Sequence, residues 1–463
     1  MGSLAAMLKA KGYRVTGSDS HVYPPMSEIL TGAGIAVEER FDADHLTPPP
    51  DLVIIGNAMS RGNPEVEETL KRKIRYASLP EVLREVFIRG NTSVVVTGTH
   101  GKTTTTALIA HLLTEAGRDP GFLIGGVPRN FEASYRLGSR GIFVVEGDEY
   151  DTAFFDKGPK FLHYLPDIVV INNVEFDHAD IYRNLEEITT SFRRLINIIP
   201  GNGLLIANGE DKNVVDLLHT SIDSPGRSTT LRTFCPVETF GNETGVVWRG
   251  VDSVFSFLGS SFRILHRCRV FSDVTVPLTG RYNVMNTLAA VAVTHRLGLS
   301  ADEIRAGLLT FKGVRRRLEL RGISRDVTVY DDFAHHPTAV RETLAGFRTI
   351  HPGERVWAIF EPGSATNARA IFEDDYVTAF DDADFVIFGR VPRPERAGVD
   401  PPMSVERVVG HIRSRGRPAW HLPQVDGIIQ HIITSARPGD QVIIMSNSGF
   451  EDIHTRLLEA LTA

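Results

Sequence analysis

Residues Val94–Thr106 read VVVTGTHGKTTTT, the most informative stretch of the chain for its fold class. Three β-branched apolar residues lead into a Gly-x-x-Gly-Lys-Thr turn, and a helical pattern runs from Thr103 to Glu115 and closes at Gly117. Backbone N–H groups at the start of such a helix point at an anion, and the helix dipole favours it. The stretch therefore predicts a phosphate-binding turn between a buried strand and a helix. The alternative is an ordinary strand–turn–helix with an exposed lysine.

The turn departs at one position from the usual nucleotide-binding spacing. The pattern G-x-x-x-x-G-K-[ST] would put its first glycine at Val96, whereas Gly98 supplies the flexible turn here. Gly101, Lys102 and Thr103 fit the end of the pattern. We expect Lys102 to reach the outer phosphates of a nucleotide and the Thr103 hydroxyl to bind Mg²⁺.

A phosphate loop of this kind needs an acidic metal partner at the end of a neighbouring strand. Glu146 ends the apolar run IFVVE and is followed by Asp148, Glu149 and Asp151, while His178 ends the run IVVINNVEFDH. The carboxyl ends of parallel strands meet at one edge of a sheet, where such folds bind ligands. We therefore expect metal ligands there. For the acidic run, the alternative is a solvated loop.

The bulk composition is that of a globular protein with several domains. The chain has 463 residues, 42% hydrophobic and 23% charged, with a net charge of −7. This balance gives no basic footprint for nucleic acid. The two cysteines, Cys235 and Cys268, are too few for a disulfide framework or a cysteine metal site, and such low cysteine usage is typical of proteins in the reducing cytosol. No apolar stretch is long enough to span a membrane, and the first residues have no signal-peptide pattern, so a cytoplasmic protein is expected.

Strand and helix patterns alternate along three blocks. The first includes YRVTGSD and DLVIIGNA and ends at a plausible linker, residues 88–93. The second holds continuous apolar runs typical of parallel strands buried on both faces, and short β-type runs over 228–279 that suggest an antiparallel insert. The third, with VTVYDD, VWAIFEP, DFVIFG and QVIIMSN, predicts another open parallel sheet, and residues 391–402 a surface loop.

The motifs TGTHGKTTT, EGDEYD, NVEFDHAD, GRYNVMNTLAA, RRRLE and DDFAHHPTAV occur in the order and at roughly the spacing of one family. The chain resembles the Mur ligases, ATP-dependent amide ligases of peptidoglycan synthesis, over essentially its whole length. The resemblance implies an α/β fold of three domains. These are a Rossmann-like UDP-muramate domain at 1–90, a central P-loop ATPase domain with a small antiparallel insert at 91–314, and a C-terminal Rossmann-like acceptor domain at 315–463.

Several stretches resemble one branch of the family: SDSHVYPPMS, IGNAMSRGNPEV, DEYDTAFFDKGPKFLHY and YDDFAHHPT. That branch joins UDP-N-acetylmuramate to the murein tripeptide L-Ala-γ-D-Glu-meso-diaminopimelate, through an acyl phosphate, in peptidoglycan recycling. The sister branch, which adds L-alanine in de novo synthesis, shares GTHGKTT and HHP but typically has DES in place of DEYD. It stays the main alternative. A catalytically inactive nucleotide-binding module is an alternative of another class.

The resemblance implies ATP and Mg²⁺ as cofactors and assigns their sites. Lys102 would neutralise the transferring phosphoryl group, Thr103 and Glu146 would hold one Mg²⁺, and His178 a second. Asn283 and Asn286 would meet the adenine, Arg317 the γ-phosphate and Asp332 the ribose. His335 would face the reaction centre from the third domain. The expected ATP-binding set is Gly98, Thr99, His100, Gly101, Lys102, Thr103, Thr104, Asn283, Asn286, Arg317 and Asp332.

For the sugar substrate the resemblance implies residues in the first two domains. These are Ser18, Asp19 and Asn57 in the first domain, with His100, Asn130, Tyr150 and Asp151 as weaker substrate-binding candidates in the second. The expected partners are UDP-N-acetylmuramate and the murein tripeptide, with no nucleic acid and no membrane. A monomer or weak homo-oligomer is expected.

The chain also departs from the family pattern. It begins inside the family's first Gly-rich motif, so the first strand of the UDP domain is expected to be missing. No lysine occurs between Phe161 and Asp211, so a carbamylated lysine is excluded as metal ligand, as in the alanine-adding branch. Tyr282 stands where the family often has His. Gly363 follows Glu-Pro where the recycling branch often has Arg, and Arg369 is a candidate to compensate.

Overall fold

The computed structural model describes residues 1–22, 26–131, 133–219, 221–224, 227–230, 233–363, 366–367, 369–391 and 401–462. The segments 221–224 and 227–230 are described by their backbone alone. Among the described residues, no helix combines the length and apolar character needed to cross a bilayer.

The first ninety residues form short helices and two separate pairs of parallel strands. The helices are α1 (Gly2–Ala10), α2 (Met26–Gly32), α3 (Pro64–Lys71) and α4 (Leu79–Leu83). The strands are β1 (Gly17–Ser18), β2 (Val37–Glu38), β3 (Val53–Ile55) and β4 (Tyr76–Ser78). β1 pairs with β2 and β3 with β4. The strand predicted from DLVIIGNA is present as β3, whereas in YRVTGSD only Gly17 and Ser18, after the apolar residues, belong to a strand.

A ten-stranded mixed sheet forms the centre of the molecule. Its strands are β5 (Thr92–Thr97), β6 (Gly121–Leu123), β7 (Tyr135–Arg136), β8 (Ile142–Glu146), β11 (Ile168–Ile171), β12 (Leu204–Asn208), β15 (Val237–Gly241), β16 (Trp248–Ser256), β17 (Gly259–His266) and β18 (Arg269–Val276). Two small hairpins lie outside it: β9 (Asp151–Ala153) with β10 (Asp156–Pro159), and β13 (Ser221–Ser224) with β14 (Arg227–Thr230). The strand order is β18-β17-β16-β15-β12-β11-β5-β8-β6-β7, so β5 is central and pairs in parallel with β11 and β8.

Two helical layers cover this sheet. The helices are α5 (Lys102–Glu115), α6 (Leu185–Asn197), α7 (Lys212–His219), α8 (Arg281–Arg296) and α9 (Ala301–Leu309). Val94 and Val96 pack with α5, α8 and α9, whereas Val95 packs on the opposite face with α1, α4 and α6. Successive strand residues face opposite sides, and both sides are buried, which explains the unbroken apolar run of β5.

The predicted antiparallel strands are present, and they extend the central sheet. β16 pairs in parallel with β15 and antiparallel with β17, which pairs antiparallel with β18. The run FRILHRCRVF is two strands joined by a turn at Arg267 and Cys268, whose φ values are 50° and 64°. Two consecutive residues with positive φ match the twist of a tight hairpin, so the chain reverses at this exposed turn.

The last third forms a six-stranded sheet with helices on both faces. Its strands are β19 (Glu319–Ser324), β20 (Val327–Asp332), β21 (Val356–Phe360), β22 (Phe385–Phe388), β23 (Ala419–His421) and β24 (Gln441–Met445), in the order β19-β20-β24-β21-β22-β23. Its helices are α10 (Pro337–Ile350), α11 (Glu373–Ala379), α12 (Val405–Ser414), α13 (Val425–Ser435) and α14 (Ile453–Thr462). The sheet is parallel as predicted except at its edge, where β19 is antiparallel to β20. The predicted surface loop at 391–402 lies mostly outside the described residues.

Candidate active site

The turn between β5 and α5 has the shape of a phosphate cradle. Gly98 and Gly101 have φ of 127° and 81°, a region that side chains disfavour. A Cβ on Gly101 would lie 2.4 Å from Asn286 Oδ1, and one on Gly98 would lie 3.0 Å from the Asn173 backbone. Both glycines are therefore required, by conformation and by the close approach of neighbouring chains.

Lys102, the first residue of α5, is held by the turn and by a buried carboxylate. Its Nζ donates to the Gly98 carbonyl at 2.7 Å and contacts Glu149 Oε2 at 2.9 Å. Burial alone would lower the pKa of Lys102, but Glu149 and Asp148 outweigh it and raise the pKa above its usual value. Glu149 was seen in the sequence only as part of an acidic run, and only the fold reveals it as the partner of Lys102.

Thr103 and Glu146 meet at the carboxyl edge of the sheet, as their positions after β5 and β8 predict. Thr103 Oγ1 lies 3.2 Å from Glu146 Oε2, and the Gly125 amide donates to Glu146 Oε1 at 2.6 Å. Burial raises the pKa of Glu146, although the Gly125 hydrogen bond and the charge of Lys102 oppose it. A hydroxyl and a carboxylate side by side are the oxygen ligands that Mg²⁺ prefers.

His178 lies in a loop, not at a strand end. β11 stops at Ile171, seven residues earlier than the apolar run suggested, and His178 has φ of 56°. Its Nε2 still reaches Glu149 Oε1 at 3.0 Å, and the ring of Tyr150 lies 4.2 Å from its own. Burial would lower the pKa of His178, but Asp177 and Glu149 raise it to about 9. Asp148, Glu149 and His178 together form a group able to hold a metal ion.

A cavity of about 600 Å³ opens beside the turn, between the central sheet and the six-stranded sheet of the last third of the chain, called the third sheet below. Seven of the predicted ATP-binding residues line it: His100, Gly101, Thr104, Asn283, Asn286, Arg317 and Asp332. Gly98, Thr99, Lys102 and Thr103, in the same turn, are not among the lining residues. The volume lies in the range of small-molecule sites.

The two asparagines of α8 are tied into a buried polar network. Asn286 donates to Asn283 Oδ1 at 3.2 Å and accepts from Thr105 Oγ1 at 3.2 Å. Asn172 Nδ2 reaches the same Thr105 hydroxyl at 3.1 Å, while its buried Oδ1 has no hydrogen-bond partner among the residues that the structure describes. Asn172 lines the cavity and was missed by sequence reasoning. An unsatisfied buried acceptor in a cavity wall is a candidate ligand contact.

The third sheet contributes a cation, a carboxylate and an imidazole. Arg317 lies over the ring of Phe333 at 5.3 Å. Asp332 accepts from the amides of Ala334 and Leu318, both at 2.7 Å, and burial raises its pKa against the opposing charge of Arg317. His335 Nδ1 lies 2.9 Å from the Phe333 carbonyl, and burial lowers its pKa.

A further cluster, His100, Glu175 and His336, joins the turn to the start of α10. Thr338 Oγ1 donates to Glu175 Oε2 at 2.7 Å across the two sheets. His100 and the Thr338 hydroxyl lower the pKa of Glu175 to about 2 despite its burial, and burial lowers the pKa of His336 to about 4. Of these three residues, only His100 was predicted from the sequence as a site residue. Glu175 in NVEFDH and the second histidine of HHP were available signals.

The three predicted sugar-binding residues of the first segment have separate local environments. Ser18 Oγ contacts His45 Nδ1 at 3.3 Å, and Asp19 Oδ1 accepts from the His21 amide at 3.0 Å. Asn57 is exposed in a turn after β3.

The candidates of the central segment also have structural partners. Asn130 bridges the Thr310 carbonyl and the Lys312 amide, at 2.8 and 2.7 Å. Asp151 pairs with Lys157 at 2.5 Å. Tyr150, beside His178, is therefore the central candidate nearest the proposed metal ligands.

The segment 361–369, in which Gly363 departs from the family pattern, lies partly outside the described residues, because 364, 365 and 368 are not described. Arg369 is 8% exposed, so it does not form part of the solvated surface. Glu361 is buried and accepts from Ser446 Oγ at 2.6 Å. Thr366 accepts from the Ala179 amide at 3.1 Å, which ties this segment to the His178 loop.

Three sequence families match the chain, and together they span most of it. Residues 1–90 match the Mur ligase family, catalytic domain, residues 96–294 the Mur ligase middle domain, and residues 316–448 the Mur ligase, glutamate ligase domain. The predicted domain boundaries after residues 90 and 314 stay predictions.

Individual relatives are similar over their whole length. The UDP-N-acetylmuramate–L-alanyl-γ-D-glutamyl-meso-2,6-diaminoheptandioate ligase of Escherichia coli is 39% identical over 100% of this chain and 96% of its own. A UDP-N-acetylmuramate–L-alanine ligase of Clostridium tetani is 31% identical over 96% of this chain and 92% of its own. The crystal structure of a murein peptide ligase from Psychrobacter arcticus matches with a TM-score of 0.73 at 37% identity, over 100% of this chain and 96% of that one.

Proposed function

The chain belongs to the Mur ligase family, and we propose that it joins UDP-N-acetylmuramate to the tripeptide L-Ala-γ-D-Glu-meso-diaminopimelate at the expense of ATP. The observation that carries the proposal is the convergence of Lys102, the Thr103–Glu146 pair and His178 at one edge of the central sheet, beside the cavity. The full-length relative in Escherichia coli, a ligase of these substrates by name, supports the choice of acceptor.

The residues present fit a nucleotide and Mg²⁺. The turn leaves no room for a side chain at Gly98 or Gly101, so its backbone can approach a phosphate closely. In the cavity wall, Asn172 Oδ1 can accept a hydrogen bond from a ligand donor such as the adenine amino group. Thr103 and Glu146 would hold one ion through oxygen atoms, and His178 with Glu149 a second. When bound, Mg²⁺ neutralises phosphate charge.

Each protein group has a proposed task before and during phosphoryl transfer. Lys102 lies on the rigid start of α5, and Glu149 keeps its ammonium charged and oriented, so it can meet the phosphoryl oxygens without being reorganised. Arg317, stacked on Phe333, brings a second fixed cation from the third sheet. Asp332, anchored by two backbone amides, directs a carboxylate at the cavity for a ribose hydroxyl. Catalysis is then mostly positioning and charge neutralisation.

The proposed chemistry overcomes a poor leaving group. A lactyl carboxylate oxygen leaves badly, so attack of the carboxylate on the γ-phosphorus first gives an acyl phosphate and ADP. The free amine of the peptide then attacks the acyl carbon, and the tetrahedral intermediate expels inorganic phosphate as the amide forms. His335, neutral because burial lowers its pKa, lies on the third sheet's side and can accept a hydrogen bond from the acceptor amine.

The remaining assignments complete the proposal. Ser18, Asp19 and Asn57 would contact UDP-N-acetylmuramate, with Tyr150 and Asp151 nearer the reacting carboxylate. Because the reaction consumes ATP and a nucleotide sugar, we propose a cytoplasmic location. A monomer or weak homo-oligomer stays a prediction.

One assay tests the function and separates it from its nearest rival. Phosphate release is measured with ATP, Mg²⁺ and UDP-N-acetylmuramate, with either the tripeptide or L-alanine as acceptor. Turnover with the tripeptide and none with L-alanine is expected. The reverse result would establish the alanine-adding activity. That activity is the second candidate because the chain is also similar to the Clostridium tetani L-alanine ligase. Lys102→Ala should reduce turnover by about 10²–10³-fold, because one preorganised charge is lost from the transition state.

An inactive nucleotide-binding module is the candidate of another class. It predicts loss of the metal ligands, whereas Thr103, Glu146 and His178 are all present and approach suitable oxygen or nitrogen partners. ATP binding without phosphate release under any acceptor would favour it over both ligase activities.

A further inference from the structure

The loop that carries His178 lies between the phosphate turn and the third sheet. We call residues 173–179 the His178 loop. Its Glu175 amide donates to Thr99 Oγ1 at 2.8 Å, and the Thr99 amide donates to the Asn173 carbonyl at 3.1 Å. The loop is therefore tied through its backbone to the turn that is proposed to hold the phosphates.

The third sheet and its helices hold the opposite side of the loop. His336 Nε2 donates to the Phe176 carbonyl at 3.2 Å, because His336 Nδ1 is occupied in accepting from the Thr338 amide at the start of α10. The Ala179 amide donates to Thr366 Oγ1 at 3.1 Å. The Phe176 ring packs against the apolar core between the third sheet and helices α10, α11 and α12. Contacts from the last third of the chain thus follow the loop along its length.

The Glu175 carboxylate connects the loop to helix α10. Its Oε2 accepts from Thr338 Oγ1 at 2.7 Å, and hydrogen bonds to a charged acceptor are stronger than those between neutral groups. Glu175 stands three residues before His178. A hydrogen bond that reaches Glu175 from outside the loop therefore restricts the backbone that carries the His178 imidazole.

The conformation of His178 requires such a restraint. Its φ of 56° lies in a region that side chains disfavour, and a strained backbone of this kind persists only where the surrounding structure holds it. In this conformation His178 Nε2 lies 3.0 Å from Glu149 Oε1, next to the contact between Glu149 and Lys102. The position of the loop therefore decides whether the imidazole reaches the carboxylate.

We propose that Thr338 is a positioning residue for the ligase reaction: its hydroxyl, acting through Glu175, holds the His178 loop so that His178 stays aligned with Glu149. The inference rests on the proposed function, because it gives the alignment of His178 a role in turnover. A displacement of about 1 Å at a reacting group can lower a rate by about 10²-fold, so a loosened loop has a measurable effect.

Direct contact with the nucleotide is the alternative role of this hydroxyl, because Thr338 and Glu175 also line the cavity. Loss of a direct contact raises KM for ATP and weakens the binding of ADP. Loss of a positioning contact lowers kcat and leaves KM for ATP nearly unchanged. The two roles therefore differ in what a substitution at Thr338 changes.

The first measurement reports on the loop without turnover. Thr338→Val removes Oγ1 but keeps a β-branched side chain and the backbone amide that caps α10. Amide hydrogen exchange of the His178 loop is followed by mass spectrometry in the full chain without ligands. Exchange should be at least about threefold faster in Thr338→Val, because the loop opens more often. Thr338→Ser retains a hydroxyl and should exchange as the unmodified chain does.

The second measurement compares the same variants in turnover with ATP, Mg²⁺, UDP-N-acetylmuramate and the tripeptide. In Thr338→Val, kcat should fall about tenfold, whereas KM for ATP and the affinity for ADP stay within about twofold. Thr338→Ser should recover most of the lost kcat. Thr349→Val is the matched control, because its exposed hydroxyl on the same helix contacts only the Ala345 carbonyl among the described hydrogen bonds, at 2.9 Å. It should match the unmodified chain in every measurement.

Melting curves without ligands establish that each variant folds. If Thr338→Val does not fold, Thr366→Val decides, because it removes the acceptor of the Ala179 amide in the same loop and should have the same two effects.

The proposal is overturned if exchange of the His178 loop or kcat is unchanged in Thr338→Val. It is equally overturned if the affinity for ADP falls while exchange stays the same, since that would assign the hydroxyl to nucleotide binding. Absence of turnover in the unmodified chain would count against the proposed function instead. The exchange measurement needs no turnover, so it still decides whether Thr338 holds the loop.

Discussion

Replacing Glu149 by glutamine is expected to destabilise the central sheet and its phosphate turn by about 3 kcal/mol. The carboxylate is 3% exposed and lies 2.9 Å from Lys102 Nζ and 3.0 Å from His178 Nε2. Glutamine keeps the shape but carries no charge, so the Lys102 ammonium, 15% exposed, loses its charged hydrogen-bond partner. Breaking a buried ion pair from one side costs about 3–5 kcal/mol, and the lower end applies because Asp148 remains near Lys102.

The assay is thermal unfolding in the absence of ligands. A loss of about 3 kcal/mol lowers the melting temperature of a unit of this size by about 6–12 °C. Asp216→Asn is the matched control, because it removes the charge of an exposed pair with Lys212 on α7 in the same part of the chain. Exposed pairs of this kind contribute little, so the control should melt like the unmodified chain.

Two results would refute the reasoning. One is a melting temperature for Glu149→Gln within about 2 °C of the unmodified chain. The other is an equal shift in Glu149→Gln and Asp216→Asn, since that would show that burial of the pair makes no difference.

Three further predictions concern other parts of the structure. Gly101→Ala should weaken ADP binding at least about tenfold by calorimetry, because its Cβ would lie 2.4 Å from Asn286 Oδ1; Gly117→Ala, with φ of 69° and open space around it, should bind ADP normally. Burial lowers the pKa of His111 in the folded chain, so as the pH drops through the unfolded value of 6.5 the unfolded chain binds more protons and the folded chain becomes less stable. His111→Gln should therefore reduce the loss of melting temperature between about pH 7 and pH 5, and an unchanged slope would contradict this. Asn130→Ala should lower the melting temperature yet leave UDP-N-acetylmuramate affinity unchanged, whereas lost affinity without lost stability would restore its predicted role in binding.

The sequence predicted those parts of the fold and site that depend on neighbouring residues. The run Val94–Thr106 predicted a buried strand, a glycine turn and a helix, and each is present. The family resemblance, which rests on motifs spread along the chain, was confirmed by the family matches and the full-length relatives. The approach of Thr103 to Glu146 was also expected from sequence, because Thr103 follows the turn after β5 and Glu146 ends the neighbouring parallel strand β8.

Errors arose where an apolar run did not correspond to one strand. The run ending in His178 was predicted as one strand, but it continues as a loop after Ile171. Hydrophobicity indicates that a segment packs against the core, but a loop can do so as well as a strand.

The strand, turn and helix at Val94–Glu115 could be predicted from sequence, because local steric limits, glycine conformations and the periodicity of apolar residues act over a few neighbouring positions. Which charged side chains meet could be seen only in the folded chain. Glu149 is 47 residues from Lys102, and Glu175 is 163 residues from Thr338, yet each pair is in direct contact. The physical reason is that strand order and helix packing set which loop ends share an edge, and no local pattern encodes the distance between side chains that the fold brings together.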